Sequence, residues 1–269
     1  MGRSQGAAPA PRHLPPWPVA VLADDALVDE RVRPTVVVTG GASGVGKATS
    51  ELLSRSGFLV AVADRDEVGA RAVADACGGF AVAVDAASES SIVAMFGRAL
   101  DVLGGRLDAV AIAGSGSEGA LAAPDDEVAA FVRLQAAVVL GTHLCIREAA
   151  KRMGRGGRIC VVAGTAGDPR GSPAGAALAA SNAGVEALTR VAAHTLAARG
   201  IAVNGVVHGP LVPRGSDQSP GAFGTPDGVA ETIAWLLSPR AAQVSGAIIT
   251  VDGGLGIDVL RASDDRAPR

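Results

Sequence analysis

The segment Thr39-Gly40-Gly41-Ala42-Ser43-Gly44-Val45-Gly46 is the strongest indication of the fold of this chain. It closes the apolar run Thr35–Thr39, and a helical pattern continues directly from it at Lys47. A glycine-rich turn between a buried strand and a helix lets the backbone approach a phosphate group closely. The N-terminus of the helix adds free N–H groups and the positive end of a dipole. The segment therefore predicts a nucleotide-binding strand-turn-helix unit.

The same alternation of strand and helix continues along the chain. Seven short apolar runs, rich in valine and alanine, are separated by longer amphipathic segments. The runs are Thr35–Thr39, Phe58–Ala63, Phe80–Val84, Ala109–Ala113, Ile159–Ala163, Ile201–Val207 and Ala247–Val251. Continuous apolar strands are typical of a parallel sheet that is covered on both faces. The sequence predicts an α/β fold: a Rossmann-like, doubly wound, seven-stranded parallel sheet between two layers of helices.

Residues that start and stop helices lie between these runs. Gly57 and Gly200 stand where a helix ends in a left-handed residue, and Thr225-Pro226-Asp227 provides an N-cap followed by proline at the first helical position. The composition of the two ends differs from that of the region between them, and we divide the chain into an N-terminal extension at 1–33, one domain at 34–258 and a polar C-terminal tail at 259–269. The extension is proline-rich, and we expect it to be flexible.

Composition excludes several classes of function. The 24 Lys and Arg residues against 27 Asp and Glu give a net charge of −3, which provides no reason to expect a nucleic-acid partner or an anionic membrane. No apolar run reaches the roughly 18–20 residues of a membrane span. The three cysteines show no metal-ligand spacing and indicate free thiols in a reducing cytoplasm, with no metal site. The chain contains no tyrosine, so any mechanism that needs a phenol is excluded.

A carboxylate at the end of the second run specifies the nucleotide. Asp64 lies 20 residues after Gly44, where it can accept hydrogen bonds from both hydroxyls of an adenosine ribose. The same carboxylate repels a 2′-phosphate, and Ser43 supplies no positive charge to offset that repulsion. The sequence therefore predicts NAD(H) as cofactor in preference to NADP(H).

These and later motifs, taken together in this order, resemble the single-domain branch of the short-chain dehydrogenase/reductase family over residues 34–258. The matching motifs are Thr39-Gly-x-x-x-Gly44-x-Gly46, Asp64, Asp85, Ala113-Gly114, Ser181 with Ala183, Val203-Asn204, Gly209-Pro210 and Val251-Asp252-Gly253-Gly254. The resemblance implies that Asp85 contacts the adenine and that Gly209 passes the nicotinamide. The cofactor positions predicted in this way are Thr39, Gly40, Ser43, Gly44, Val45, Gly46, Asp64, Arg65, Asp85, Ala86, Ala113, Gly114, Asn182 and Gly209.

The family's catalytic residues are absent from this chain. The resemblance implies hydride transfer at nicotinamide, assisted by a tyrosine, a lysine, a serine and an asparagine. The corresponding positions here hold Leu178, Asn182, Gly164 and Val138, in that order, and a one-residue slip would put Thr165 in place of Gly164. The resemblance implies that Asn182 is a neutral substitute for the lysine. Its amide would hydrogen-bond the nicotinamide ribose but would not activate a proton donor.

The segment that covers the substrate in the family is also short here. Only 15 residues, Leu211–Thr225, separate Gly209-Pro210 from the next predicted helix. An acid/base pair of His208 and Asp168, with Thr165 nearby, is the alternative source of chemistry in this region. A histidine at the end of a strand is more often bonded to backbone or solvated.

Three hypotheses about function follow. The first is a non-catalytic subunit, or pseudoenzyme, that assembles with an intact chain of the same family into a hetero-oligomer. The second is a divergent enzyme, either a non-redox lyase, isomerase or cyclase or an atypical oxidoreductase, that uses His208 and Asp168. The third is a regulator that responds to NAD(H). Strongly apolar helices favour a homo- or hetero-oligomer in each case.

Overall fold

The parallel sheet predicted from the apolar runs is present in the computed structural model, which describes residues 33–114, 127–164, 173–209, 211 and 224–253. Its strands are β1 (Thr35–Thr39), β2 (Leu59–Asp64), β3 (Phe80–Ala83), β4 (Ala109–Ile112), β5 (Arg158–Gly164), β6 (Ala202–His208) and β7 (Ile248–Val251). They pair in parallel in the order β3-β2-β1-β4-β5-β6-β7. The predicted fold is confirmed, and each strand end lies within one residue of its expected place.

Helices cover both faces of the sheet. They are α1 (Gly44–Arg55), α2 (Glu67–Cys77), α3 (Glu89–Val102), α4 (Glu127–Gln135), α5 (Gly141–Arg152), α6 (Pro173–Leu196) and α7 (Pro226–Leu237). On one face, α3, α5 and α6 bury Phe96, Leu144 and Val185 against the sheet. On the other, α1 and α7 bury Leu53 and Ile233. The result is the expected arrangement of three layers.

The predicted helix signals act as expected. Gly57, which follows α1, adopts a φ of +93°. Gly200, which follows the 3₁₀ turn at the end of α6, adopts a φ of +68°. The Thr225 hydroxyl accepts a hydrogen bond from the Gly228 N–H at 3.1 Å. Phe58 is not part of β2, because its N–H donates to the Leu53 carbonyl and so closes the end of α1. The ends of these helices are therefore set by local backbone chemistry.

A π-helical turn, Ala136–Leu140, joins α4 to α5. The helical stretch Val128–Arg152 has the length and the apolar composition of a membrane span. Helices in the core of a folded protein can have the same length and composition. Its residues Leu134, Val138 and Leu144 belong to the same buried core as the sheet, which favours a core helix.

The position of the site follows from the strand order. The chain moves outward from β1 through β2 to β3 and then returns to β4, which pairs with the other side of β1. A crevice forms beyond the carboxyl ends of the strands at such a switch point. The glycine segment that follows β1 lies at this edge. The proposed extension at 1–33 and tail at 259–269 fall outside the described residues, apart from Arg33.

Candidate functional site

Two glycines of the segment allow its backbone to pack tightly. A Cβ on Gly40, whose φ is +62°, would lie 2.1 Å from the Ala113 carbonyl oxygen after β4. A Cβ on Gly46 would lie 2.1 Å from the Gly40 carbonyl oxygen. Thr39 strengthens the first contact, because its buried hydroxyl donates to the Ala113 carbonyl at 3.0 Å. Gly40 and Gly46 therefore hold α1 and β4 close to the turn.

Gly44 has a different role. It is exposed and has φ of +51°, and a Cβ built on it would have no atom of the described residues within 4 Å. Ser43 is exposed at the N-cap position, and its side chain makes no capping hydrogen bond in the described structure. Val45 is buried beneath the turn. α1 thus begins at exposed residues with open space beside Gly44, and the N-terminus of a helix in such a place can bind a pyrophosphate.

Asp64 is held beside this turn by backbone N–H groups. Its Oδ2 accepts a hydrogen bond from the Ala42 N–H, and its Oδ1 accepts one from the Asp66 N–H, each at 3.0 Å. A carboxylate oxygen has two lone pairs, so both oxygens keep capacity for ribose hydroxyls. Arg65 is exposed directly after it. The glycine turn itself orients the carboxylate that is predicted to select the nucleotide.

Asp85 and Ala86 follow β3 at the same edge of the sheet. Asp85 Oδ1 accepts from the Ala87 N–H at 3.0 Å, and the Asp85 N–H donates to the Ser91 hydroxyl at 2.9 Å. Asp85 therefore forms the turn that leads into α3, and a contact to adenine stays a prediction. A Cβ on Gly141 would lie 2.5 Å from the Ala86 carbonyl oxygen, so the start of α5 packs directly beneath this turn.

The remaining cofactor positions lie along the same edge. Gly114 is exposed after β4 with φ of +141°, and a Cβ on it would lie 3.7 Å from the Gly40 Cα. Gly209 is buried after β6, where a Cβ would lie 2.9 Å from the Asp252 Cβ. Leu211 and Gly224 form an isolated parallel bridge, which joins the two ends of the short segment expected to cover a substrate. Residues 212–223 of that segment lie outside the described part.

The four positions predicted to correspond to the family's catalytic residues hold side chains that do not move a proton at neutral pH. Val138 is buried in the π-helical turn, and Leu178 packs against the core. Gly164 ends β5, and a Cβ on it would lie 3.2 Å from Asn182 Nδ2. Asn182 is fully buried on α6. The closeness of Gly164 and Asn182, and the π-helical turn at Val138, were not predicted from the sequence.

The alternative acid/base pair receives limited support. His208 is half-buried at the end of β6, beside Gly164 of β5, and its Nδ1 lies 2.8 Å from the carbonyl oxygen of neighbouring Gly209. The side chain is therefore bonded to backbone. Asp168 and Thr165 fall outside the described residues, so their relation to His208 stays a prediction.

Thiol and metal chemistry receive no support from the described residues. Cys77, Cys145 and Cys160 are free thiols. Burial raises the pKa of Cys145 to about 12 and also raises that of Cys160. Both stay protonated and unreactive at neutral pH. Within the described ranges, no three His, Cys, Asp or Glu side chains come together as metal ligands.

Comparison with known proteins identifies the family. The family model for enoyl-(acyl carrier protein) reductase matches residues 40–256. The chain belongs to the short-chain dehydrogenase/reductase family. It is 37% identical over 242 residues to cis-4-hydroxycyclohexanecarboxylate dehydrogenase of Sinomonas cyclohexanicum, a match that covers 81% of this chain and 94% of that protein. The dehydrogenases of this family use a nicotinamide dinucleotide, NAD or NADP.

Two further relatives of this short-chain dehydrogenase/reductase bear on its site. The chain is 34% identical over 226 residues to inactive 2-(S)-hydroxypropyl-CoM dehydrogenase 2 of Xanthobacter autotrophicus, covering 75% of this chain and 96% of that protein. The crystal structure of a dehydrogenase/reductase from Sinorhizobium meliloti superposes with a TM-score of 0.71 at 30% identity, covering 82% of this chain and 94% of that one. Proteins named as dehydrogenases and a protein named as an inactive dehydrogenase are thus all similar to this chain.

Proposed function

We propose that this chain binds NAD(H) and acts as the non-catalytic subunit of a hetero-oligomeric short-chain dehydrogenase or ketoreductase. The proposal rests on a difference between the nucleotide half and the proton-donating half of one crevice. The nucleotide half keeps its open helix N-terminus at Gly44 and its oriented Asp64 carboxylate. The half that would donate the proton holds Leu178 and Val138.

The missing acid has a measurable consequence. Proton transfer by a positioned side chain contributes about 10²–10⁴-fold to a rate, or roughly 3–5 kcal/mol of barrier. Since Asn182 also supplies no positive charge, a phenol introduced at the Leu178 position would lack the partner that lowers its pKa. We therefore expect negligible oxidation of alcohols and reduction of carbonyls by the isolated chain. The relative named inactive supports this expectation.

Bound NAD supplies hydride chemistry in this family, and the residues described here fit its binding. The open N-terminus of α1 suits the pyrophosphate, and Asp64 suits an adenosine ribose without a 2′-phosphate. These contacts position the dinucleotide along the carboxyl edge of the sheet. They do not move a proton.

Exposed apolar side chains support assembly with another chain. Val128 and Val132 of α4 are 73% and 59% exposed, and Val191 of α6 is 63% exposed. Leu140 of the π-helical turn is also exposed, and α4 packs against α6. Large apolar side chains on neighbouring helices are costly in water and typical of interfaces. We propose an intact short-chain dehydrogenase/reductase chain as the partner, with a homo-oligomer when this chain is alone.

The proposal is tested on the purified full chain in three measurements. Calorimetry should detect NAD⁺ or NADH binding, absorbance of NADH should show no turnover with carbonyl or alcohol substrates, and light scattering should give a mass above the 26.6 kDa monomer. Co-expression with an intact family member from the same source should yield a mixed complex. Turnover that persists in a His208→Ala variant would show that the site has been misinterpreted.

A result specific to His208 separates the alternatives. Turnover that is present in the unchanged chain and lost in His208→Ala would replace the non-catalytic subunit by the divergent enzyme. A 26.6 kDa monomer that forms no mixed complex would contradict the assembly. Binding of NAD(H) by such a monomer, without turnover, would favour the regulator.

A further inference from the structure

The amino-terminal edge of the sheet lies opposite the edge that carries the glycine turn, and four strands begin there side by side. The N–H of Asp108 donates to the Thr35 carbonyl at 3.3 Å, and the N–H of Arg158 donates to the Asp108 carbonyl at 3.0 Å. The N–H of Ala202 donates to the Gly157 carbonyl at 3.0 Å. These hydrogen bonds place the starts of β1, β4, β5 and β6 in one row. Neighbouring strands are about 4.8 Å apart, so the row is about 14 Å long.

Arginines without acidic partners lie at the β5 and β6 end of this row. Arg106 forms an ion pair with Asp108, at 2.8 Å between Nε and Oδ2. Arg155, Arg158 and Arg199 have no carboxylate oxygen of the described residues within 4 Å. Arg155 and Arg199 are exposed, and Arg158 is partly buried. We call these three residues the arginine edge. Their charges are not compensated by the described residues, so the arginine edge favours an anionic partner.

Local packing keeps the three side chains at the starts of β5 and β6. A Cβ on Gly200 would lie 2.9 Å from the Arg155 Cγ and 3.0 Å from its Nη1, so Arg155 lies across the backbone that leads into β6. The Arg199 Nη2 donates to the Met153 carbonyl at 3.1 Å. Arg158 is the first residue of β5, and burial lowers the pKa of its guanidinium. A carboxylate interacts more strongly with a positive charge from which water is partly excluded.

The segment that precedes β1 has the opposite charge. Residues 24–30, Asp-Asp-Ala-Leu-Val-Asp-Glu, contain four carboxylates and no basic residue. The chain enters the described structure at Arg33, whose carbonyl accepts a hydrogen bond from the Arg106 Nη2 at 2.6 Å. The acidic segment is therefore connected to the fold at the amino-terminal edge of the sheet. The proline-rich part of the extension, residues 9–18, is further along the chain from this edge.

The acidic segment is long enough to reach the arginine edge. An extended chain covers at most about 3.3–3.6 Å per residue, so Asp29 can lie about 13–14 Å from Arg33 and Asp24 about 30–32 Å. The start of β5 is about 10 Å from the start of β1, and the start of β6 is about 14 Å from it. The carboxylates of residues 24–30 can therefore reach all three arginines.

The C-terminal tail fits the arginine edge less well. Residues 259–269 contain three arginines and two aspartates, so the tail has no excess of negative charge. The tail also follows β7, which ends at the carboxyl edge of the parallel sheet. It therefore leaves the sheet at the opposite edge.

We propose that residues 24–30 fold back onto the arginine edge of the same chain and hold the N-terminal extension there by ion pairs. A carboxylate that is tethered a few residues away has a high effective concentration, which favours pairing within one chain over pairing between chains. The arginine edge lies opposite the predicted cofactor site, so the contact depends neither on NAD(H) nor on its absence. A chain without the segment would present a basic surface at this edge.

Zero-length cross-linking tests this contact in the full chain. A carbodiimide joins a carboxylate to an amine that touches it, and the chain has only two lysines, Lys47 and Lys151, to compete. Arg155→Lys and Arg199→Lys each introduce an amine and keep the positive charge. At least one of them should form a cross-link to residues 24–30, identified by mass spectrometry. Its yield should fall about fivefold in about 1 M salt, where the Debye length is about 3 Å.

Arg71→Lys is the matched control. Arg71 is exposed on α2 and, like Arg155, has no carboxylate oxygen of the described residues within 4 Å. The amine introduced there should form no cross-link to residues 24–30. A mixture of isotope-labelled and unlabelled chains shows whether a cross-link joins residues of one chain or of two.

Thermal stability provides a second readout. A neutral segment variant replaces each aspartate of residues 24–30 by asparagine and the glutamate by glutamine. At low salt it should melt about 2–4 °C below the unchanged chain, and the difference should shrink in about 1 M salt. Arg155→Gln with Arg199→Gln should lower the melting temperature similarly. All the changes together should lower it no further, because both sets remove the same ion pairs.

Three results would overturn the proposal. The first is the absence of a cross-link from both introduced amines, or an equal yield from Arg71→Lys. The second is a set of cross-links that join labelled to unlabelled chains, since the segment would then bind a second copy. The third is a melting temperature that falls additively when the segment and the arginines are changed together, because the two sets of charges would then act independently.

Discussion

A single methyl group at Gly44 should separate the stability of the fold from binding of the nucleotide. Gly44 has φ of +51°, and its missing Cβ would meet no atom of the described residues within 4 Å. Gly44→Ala therefore introduces backbone strain but no clash there, at a cost of about 1–2 kcal/mol. For a domain of this size the melting temperature should fall by about 2–8 °C.

The effect on binding should be larger, because the methyl group would occupy the space over the first turn of α1. A pyrophosphate kept away from these N–H groups loses at least one charge-assisted hydrogen bond, worth about 1.5–3 kcal/mol. The dissociation constant for NAD⁺ should therefore rise by about 10–100-fold. Calorimetric titration of the folded variant with NAD⁺ measures this change directly.

Gly78→Ala is the matched control. Gly78 has φ of +59° and no atom of the described residues within 4 Å of a built Cβ, but it ends α2 at the opposite edge of the sheet. Its alanine variant should lose similar stability and keep its affinity for NAD⁺. Equal affinity of Gly44→Ala and Gly78→Ala for NAD⁺ would show that the glycine turn does not hold the pyrophosphate.

Two further variants test the selectivity of the cofactor site and the stability of the fold. Asp64→Ala should reduce the ratio of the NADP⁺ dissociation constant to the NAD⁺ dissociation constant, because the carboxylate that repels a 2′-phosphate is removed. Calorimetry measures both constants. An unaltered ratio would contradict a role of Asp64 in selecting NAD⁺. The Glu148 side chain is 2% exposed, and this burial by itself raises the pKa of its carboxyl group. Hydrogen bonds from Lys151, Arg152 and Arg147 have the opposite effect and outweigh burial. The net result is a pKa lowered from 4.5 to about 2. Because the pKa is lower in the folded chain, the stabilisation is complete above pH 4.5 and is lost as the pH falls toward 2. Glu148→Gln should therefore lower the free energy of unfolding by roughly 2–3 kcal/mol at pH 7 and by less at pH 3. Urea unfolding at both pH values measures the difference, and a gap independent of pH would show that the ion pairs do not stabilise the fold.

The fold class could be predicted from the sequence alone, and the sequence also predicts that the family's catalytic residues are missing. Apolar runs identify strands buried on both faces because burial of this kind leaves a continuous local pattern. The glycine segment between Thr39 and Gly46 was recognisable because its residues are consecutive, and so was the spacing to Asp64. The absence of tyrosine is a matter of composition and needs no structure.

Contacts between residues that are distant in sequence are visible only in the folded chain. Asp64 is oriented by the N–H of Ala42, and Asp85 forms a turn with Ala87; the sequence predicted a cofactor role for each carboxylate but not these hydrogen bonds. Gly164 and Asn182 lie on a strand and a helix separated by residues 165–172, which the structure does not describe. Their contact depends on how α6 packs across β5 and β6. Packing of this kind depends on the shape and volume of side chains from several elements at once, and no local pattern in the sequence records it.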